Sequence, residues 1–205
     1  AAKRAAYHFS TANCRFVSLL DVSSAATPIA LMGAAIAGVP YVPINYRLSE
    51  EQLTPLLDRI SPAYLISGPR DEIYDFDGWV VQSSDDFLDD VLNGEDVEVT
   101  WNEDPSAIAV QLFTSGTTGT PKAAILRHEH LVSYILGSVE FMGAGEDEAA
   151  LVSVPPYHIA GISAAMSNIY ACRQVVQLSN FEPDEWLRLC EAEKVTSAFV
   201  VPTML

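Results

Sequence analysis

Short apolar runs alternate with helix-patterned stretches along this chain, and that alternation limits its possible folds more than any other feature. Arg15 to Leu20, Tyr41 to Ile44 and Ala63 to Ser67 read as strands. Between the first two lies a small-residue helix, about Ala25 to Ala37, whose Gly33, Ala34 and Ala35 let a neighbouring backbone approach closely. A second helix opens at Ser49, with Gln52 three residues on to complete a capping box and with Leu53, Leu56, Leu57 and Ile60 on one face. Strands joined by helices instead of tight turns pair in parallel, because the crossover must travel back over the sheet before the next strand begins. The expected class is α/β, with layered parallel-rich sheets and crossover helices.

The rhythm continues to the end of the chain. Trp79 to Val81, Ile108 to Phe113, Ala123 to Leu126, Ala150 to Val154, Arg173 to Leu178 and Ser197 to Val201 are the further strands expected. A short helix is expected around Phe87, Leu88, Val91 and Leu92. Another covers His128 to Met142 through Leu131, Ile135, Leu136 and Val139, and one runs from Pro183 to about Lys194. The glycine-rich, acidic stretch Gly143 to Glu148 interrupts the pattern and divides the chain into a first α/β subdomain, residues 1–143, and a partial second one, residues 144–205. From Asp71 to Pro121 there is no Lys or Arg while carboxylates crowd the span, which reads as a solvated surface insertion with no calcium-loop spacing.

A formal net charge of -16 disfavours nucleic acid as a partner. Cys14, Cys172 and Cys190 are odd in number and far apart, without metal-binding spacing, so they read as small core residues of a protein in a reducing cytoplasm. Ala1 to Phe9 has no apolar core of signal-peptide type. The uncharged run Val22 to Tyr46 is cut by Pro28, Gly38, Pro40 and Pro43. The helix left is roughly 17 Å long, short of the bilayer's apolar core. No transmembrane segment is expected; location is read as cytoplasmic, with peripheral membrane association left open.

The chemistry is concentrated where the Ile108 to Phe113 strand ends. Thr114, Ser115, Gly116, Thr117, Thr118, Gly119, Thr120, Pro121 and Lys122 follow one another there. A glycine-rich turn leaving a strand can aim several peptide N–H groups into one concavity, and hydroxyls plus an ammonium add donors suited to phosphate oxygens. The expected ligand is a polyphosphate. The stretch is not a Walker A loop, which needs Lys and then Ser or Thr directly after the second glycine; here Thr120 and Pro121 intervene and Ala123 follows Lys122.

Leu112 to Lys122 instead resembles the signature loop of the adenylate-forming, AMP-binding enzyme superfamily, and the chain is most like the N-terminal part of a fatty acyl-CoA synthetase. The residue after the lysine is usually glycine in that family and is Ala123 here, as in some long-chain acyl-CoA synthetases and fatty-acid transport proteins. Ala34 to Leu48 resembles a second, structural motif. Pro155-Pro156-Tyr157-His158-Ile159-Ala160-Gly161 resembles a third, which lies beside the acyl-substrate channel.

The resemblance implies ATP-dependent activation of a carboxylic acid, fatty in the first instance, through an acyl-adenylate, with ATP, Mg²⁺ and coenzyme A as cofactor and co-substrates. It assigns Lys122 and Thr118 to catalysis and Thr114, Ser115, Gly116, Thr117, Thr118, Gly119, Thr120 and Lys122 to the nucleotide. His158, Tyr157 and Gly161 go to the acid. No residue is assigned to a metal.

The family's later motifs do not occur before Leu205, so the chain reads as an incomplete N-terminal domain, partnered by the acid and by the remainder of its own enzyme and inactive alone. The other readings are an amino-acid or aryl-acid adenylation domain and a non-catalytic nucleotide-binding module. His128 and His130 read as surface or capping residues.

Overall fold

The computed structural model describes residues 1–69, 78–114, 121–201 and 204. Packing divides the chain into two compact units, residues 1–21 with 29–129 and residues 22–28 with 130–205. This division differs from the glycine-rich break at 143, since contacts place residues 130–142 and the early segment 22–28 with the later one. An early segment that packs within a late unit cannot be seen by reading along the chain.

In chain order the first unit carries α1 (Ala2–Thr11), β1 (Phe16–Leu20), most of α2 (Ala26–Ala37), β2 (Tyr41–Pro43), α3 (Glu50–Asp58), β3 (Ala63–Ser67), β4 (Val80–Ser83), α4 (Ser84–Asn93), β5 (Ile108–Thr114) and β6 (Lys122–Arg127). The strands form one sheet in the order β4-β3-β1-β2-β5-β6. All neighbours pair in parallel except β5 and β6. Residues 115–121 are too short a link for a crossover, so β6 must return antiparallel.

The expected parallel α/β class holds, and so does the face of α3: Leu53, Leu57 and Ile60 pack with Leu20, Val42, Ile44 and Leu65 in one buried cluster. The Gln52 half of the cap forms as read, Ser49 N–H donating to Gln52 Oε1 at 3.2 Å.

Two parts of this unit depart from the sequence reading. Helix α1 was not anticipated; its buried face is only Ala5, Ala6 and Phe9, too small a stripe to stand out among Lys3, Arg4, Tyr7 and His8. Within the acidic span the expected strand and short helix form as β4 and α4, and they belong to the sheet layer where a solvated surface insertion was expected. β4 is an edge strand paired with β3, and Phe87 of α4 is fully buried and stacked on Phe9 with ring centroids 6.0 Å apart. Burying such a ring contributes about 1.5–3 kcal/mol, and the carboxylates on the other face of α4 stay exposed, so their solvation is kept. Arg4 completes the joint, donating to the carbonyls of Val91, Leu92 and Glu95 at the end of α4 and pairing with Asp96.

The second unit carries α5 (His128–Ser138), which begins in the first, then β7 (Ala149–Val152), α6 (Ile159–Ala171), β8 (Gln174–Gln177), α7 (Pro183–Ala192) and β9 (Ser197–Phe199). β7 is buried along its length and is the centre of a parallel sheet ordered β8-β7-β9. Helix α6 also went unread. Its sequence, IAGISAAMSNIYA, is small and apolar on nearly every side, so it has no polar stripe to mark a period. It ends at Cys172, which is left-handed (φ 57°) and exposed, while Cys14 and Cys190 are half-buried. The core reading of the cysteines is corrected accordingly. Among the described residues no helix is long and apolar enough to cross a membrane.

An ion pair ties the entry of β7 to the end of α6. Glu148 accepts from Gly145 N–H at 3.2 Å and from Arg173 Nε at 2.8 Å, and Arg173 also donates to Asn168 Oδ1. The Gly145 amide and then the guanidinium hold the Glu148 carboxyl below its ordinary value. A folded-state value depressed in this way contributes stability above the unfolded carboxylate value, about 4.3, that is lost as pH falls through the lower folded value. Glu148→Gln should therefore flatten the fall of Tm between about pH 5 and pH 3 relative to the parent chain. Equal slopes in the two proteins would remove this pair from the acid response.

Candidate active site

The sequence-predicted phosphate loop leaves β5 and returns as β6. Phe113 stands opposite Ala123, and Thr114 opposite Lys122, in the antiparallel ladder. Thr114 Oγ1 donates to the Lys122 carbonyl at 3.3 Å, so its hydroxyl closes the base of the connection. Ser115, Gly116, Thr117, Thr118, Gly119 and Thr120 lie outside the described residues. Lys122 is exposed, and among the described residues no hydrogen bond or ion pair engages its ammonium. The ladder thus fixes the lysine backbone where the connection ends and leaves the charged end of its side chain unspent.

A second cation stands at the same base and was missed in the sequence. Arg59, the residue that caps α3, donates from Nη1 to the Pro121 carbonyl at 2.6 Å, and its guanidinium lies over the Phe113 ring at 4.8 Å. The available signal was its position one residue past a capped helix, where a cation complements the negative end of the helix dipole. In a chain of net charge -16, Lys122 and Arg59 flanking one connection make a local positive exception. A polyanion held there gains from both cations, and a planar guanidinium already fixed to the backbone needs little further ordering.

His158, Tyr157 and Gly161 come together in the second unit, at the start of α6. His158 is the N-cap residue but makes no side-chain capping bond; its carbonyl accepts from Gly161 N–H at 2.9 Å and Ile162 N–H at 3.3 Å. The imidazole is exposed and its ring centroid lies 4.7 Å from that of Tyr157. Gly161 is buried: a Cβ there would stand 2.6 Å from the Pro155 carbonyl oxygen and 3.0 Å from Pro156 Cα. The glycine is what lets α6 begin directly against the proline pair, and that close approach presents the Tyr157–His158 edge at the helix start. The sharp turn read from the sequence is therefore the N-terminal corner of a helix.

Other titratable groups separate from these sites. His128 begins α5 with its N–H on the Ala107 carbonyl at 3.2 Å; partial burial lowers its pKa, opposed by the charge of Asp104. Among the described residues no group of three His, Cys, Asp or Glu side chains could hold a metal ion.

Comparison with known proteins gives a consistent placement. A family profile described as "AMP-binding enzyme" matches residues 4–205. The 2-succinylbenzoate–CoA ligase of Bacillus cytotoxicus is 30% identical over 170 residues, 82% of this chain and 34% of that protein. A feruloyl-CoA synthase from an Amycolatopsis species is 28% identical over 185 residues, 85% of this chain and 36% of that one. This chain thus spans about a third of the length of the curated relatives it matches. The o-succinylbenzoate CoA synthetase of Bacillus subtilis, solved with its acyl-adenylate intermediate, matches with a TM-score of 0.74 and 25% identity, covering 99% of this chain and 54% of that one.

Proposed function

This chain belongs to the AMP-binding enzyme family, and from that premise we propose that the polypeptide it is part of activates a carboxylic acid with ATP and passes the acyl group to the thiol of coenzyme A. The observation that carries the reading is the Thr114–Lys122 closing pair. It sets an ammonium that no described residue engages at the end of a hydroxyl- and glycine-rich connection, beside Arg59.

In the first step a carboxylate oxygen attacks the α-phosphorus of ATP, the acyl-oxygen-to-phosphorus bond forms, and the bond to the β-phosphate oxygen breaks with its electron pair leaving on pyrophosphate. Lys122 and the donors of residues 114–120 hold the β- and γ-phosphates and stabilise that departing charge, and they keep the α-phosphorus in line with the incoming oxygen. Arg59 steadies the Pro121 end of the connection. In the second step the thiol sulfur attacks the acyl carbon of the adenylate, AMP leaves, and the thiol proton passes to solvent. The Tyr157–His158 edge, seated by Gly161, shapes the acid-binding side.

Two substrate readings have support. An aromatic acid is favoured by the relatives, a 2-succinylbenzoate–CoA ligase and a feruloyl-CoA synthase. A fatty acid is favoured by Ala123 after Lys122, the feature on which the fatty acyl-CoA synthetase resemblance rests. The full-length protein should be assayed for acid-dependent ATP–pyrophosphate exchange with 2-succinylbenzoate, ferulate, octanoate and palmitate, then for thioester formation with coenzyme A. Exchange with one aromatic acid and none with the fatty acids is expected; the reverse selects the second reading. No exchange with any acid, while ATP still binds, would favour the non-catalytic nucleotide-binding module.

A further inference from the structure

Beneath the His158 corner, within the second unit, lies a cavity of about 60 Å³ whose walls are mostly apolar. Gly161, Ala165 and Ile169 form one stripe of α6 along it, facing Val152 of β7 and Val175 of β8. Its polar groups come from two distant parts of the chain, Ser23 and Thr27 from the segment 22–28 and Gln177 from the end of β8. Thr27 is 4% exposed, and neither its Oγ1 nor Gln177 Oε1 has a hydrogen-bond partner among the described residues. A fully apolar cavity of this size stays dry, but one with a hydroxyl and an amide oxygen in its wall does not. Buried polar atoms in folded proteins are nearly always satisfied, by protein or by ordered water.

We propose that this cavity is a hydration site, in which two long-lived water molecules satisfy Thr27 Oγ1 and Gln177 Oε1 and so fasten the segment 22–28 to the β7–β8 edge under α6. The space of about 60 Å³ open to water centres exceeds the roughly 10–15 Å³ that one water needs, so two are accommodated. Thr27 can both donate and accept, Gln177 Oε1 accepts, and each water supplies two donors, so the bonds can all be made. Pro156 and Gly161 border the same cavity, and the waters therefore also underlie the turn that carries His158.

Water-selective NMR on the 205-residue chain tests this without ATP or an acid, independently of the ligase reading. Cross-relaxation from water to the methyl groups of Thr27, Ala165 and Val175, with the sign of a slowly exchanging molecule, is the expected result. It should vanish in the Thr27→Val, Gln177→Leu double variant. Each single variant leaves one polar partner stranded, so both should lower Tm, and the double variant should lose less than the sum of the two. Absence of water cross-relaxation in the parent chain, or a high-resolution structure with Thr27 and Gln177 bonded directly to each other, overturns the proposal. If a variant fails to fold, the parent spectrum alone decides.

Discussion

Replacing Lys122 with alanine in the full-length enzyme is expected to lower acid-dependent ATP–pyrophosphate exchange by about 100- to 1,000-fold, the range found when one preorganised donor to a developing anion is removed. The Thr114–Lys122 pairing is set by the sheet, and the alanine variant keeps the backbone bonds that form it. The loss should therefore be one of charge, not of structure. It should fall mainly on kcat, because charge builds on pyrophosphate as the bond breaks, with a smaller rise in the KM for ATP. Lys122→Arg should recover part of the rate. Thr118→Ala should also slow exchange, by a smaller factor, as a neutral donor. Arg59→Ala should cost less than Lys122→Ala, because its guanidinium bonds the Pro121 carbonyl and acts by holding the connection. Full exchange in the Lys122 and Thr118 variants alike would take the loop out of the mechanism.

Gly161→Ala should destabilise the second unit although it sits inside a helix, where alanine is ordinarily better than glycine by about 1 kcal/mol. The opposing term is steric. The added methyl meets the Pro155 carbonyl oxygen at 2.6 Å and Pro156 Cα at 3.0 Å, both backbone atoms of a stiff proline pair that cannot turn aside as a side chain would. Overpacking of this kind costs about 1–3 kcal/mol, and at its upper end the net loss after the helical gain is about 2 kcal/mol. For a chain of this length that is roughly 4–8 °C in Tm. Differential scanning calorimetry checks it. In the full-length enzyme the same variant should raise the KM for the acid more than that for ATP, because the displaced corner carries His158 and not the phosphate connection. An unchanged Tm would show that the corner yields, and the seating role given to Gly161 would fall with it.

Legibility in the sequence followed the physical strength of each local signal. The strands at Phe16–Leu20, Ala63–Ser67 and Ile108–Thr114, and the helix α3 with its leucine face and Gln52 cap, were all read within a residue or two. In each of these, burial period and local chemistry agree. Helices α1 and α6 were missed for the opposite reason, since one has a buried face of alanines and a single ring and the other is apolar nearly all round. In the acidic span the strand and the short helix were legible from their apolar residues, but not their place in the sheet, because charge marks only the outward face of α4 while Phe87 and Val91 on its inward face decide where it packs.

The connection proposed to hold phosphate was legible as an unbroken string of glycines, hydroxyls and a lysine, because that chemistry is contiguous in the chain. Arg59 was not, because its relation to Pro121 and Phe113 exists only once α3 has packed and β6 has turned back.

By itself, then, the sequence determined the alternating α/β class, the composition of the connection between β5 and β6, and the Pro-x-x-His-x-x-Gly corner. All three are written in neighbouring residues and act over a few ångströms of backbone. The tertiary structure alone decided that β6 runs antiparallel with Lys122 opposite Thr114, that Arg59 stands at the base of the connection, and that Thr27 and Gln177 share one cavity. Those relations join residues far apart in the chain. Each depends on close packing that excludes water over many side chains at once, and a pattern read locally does not carry that information.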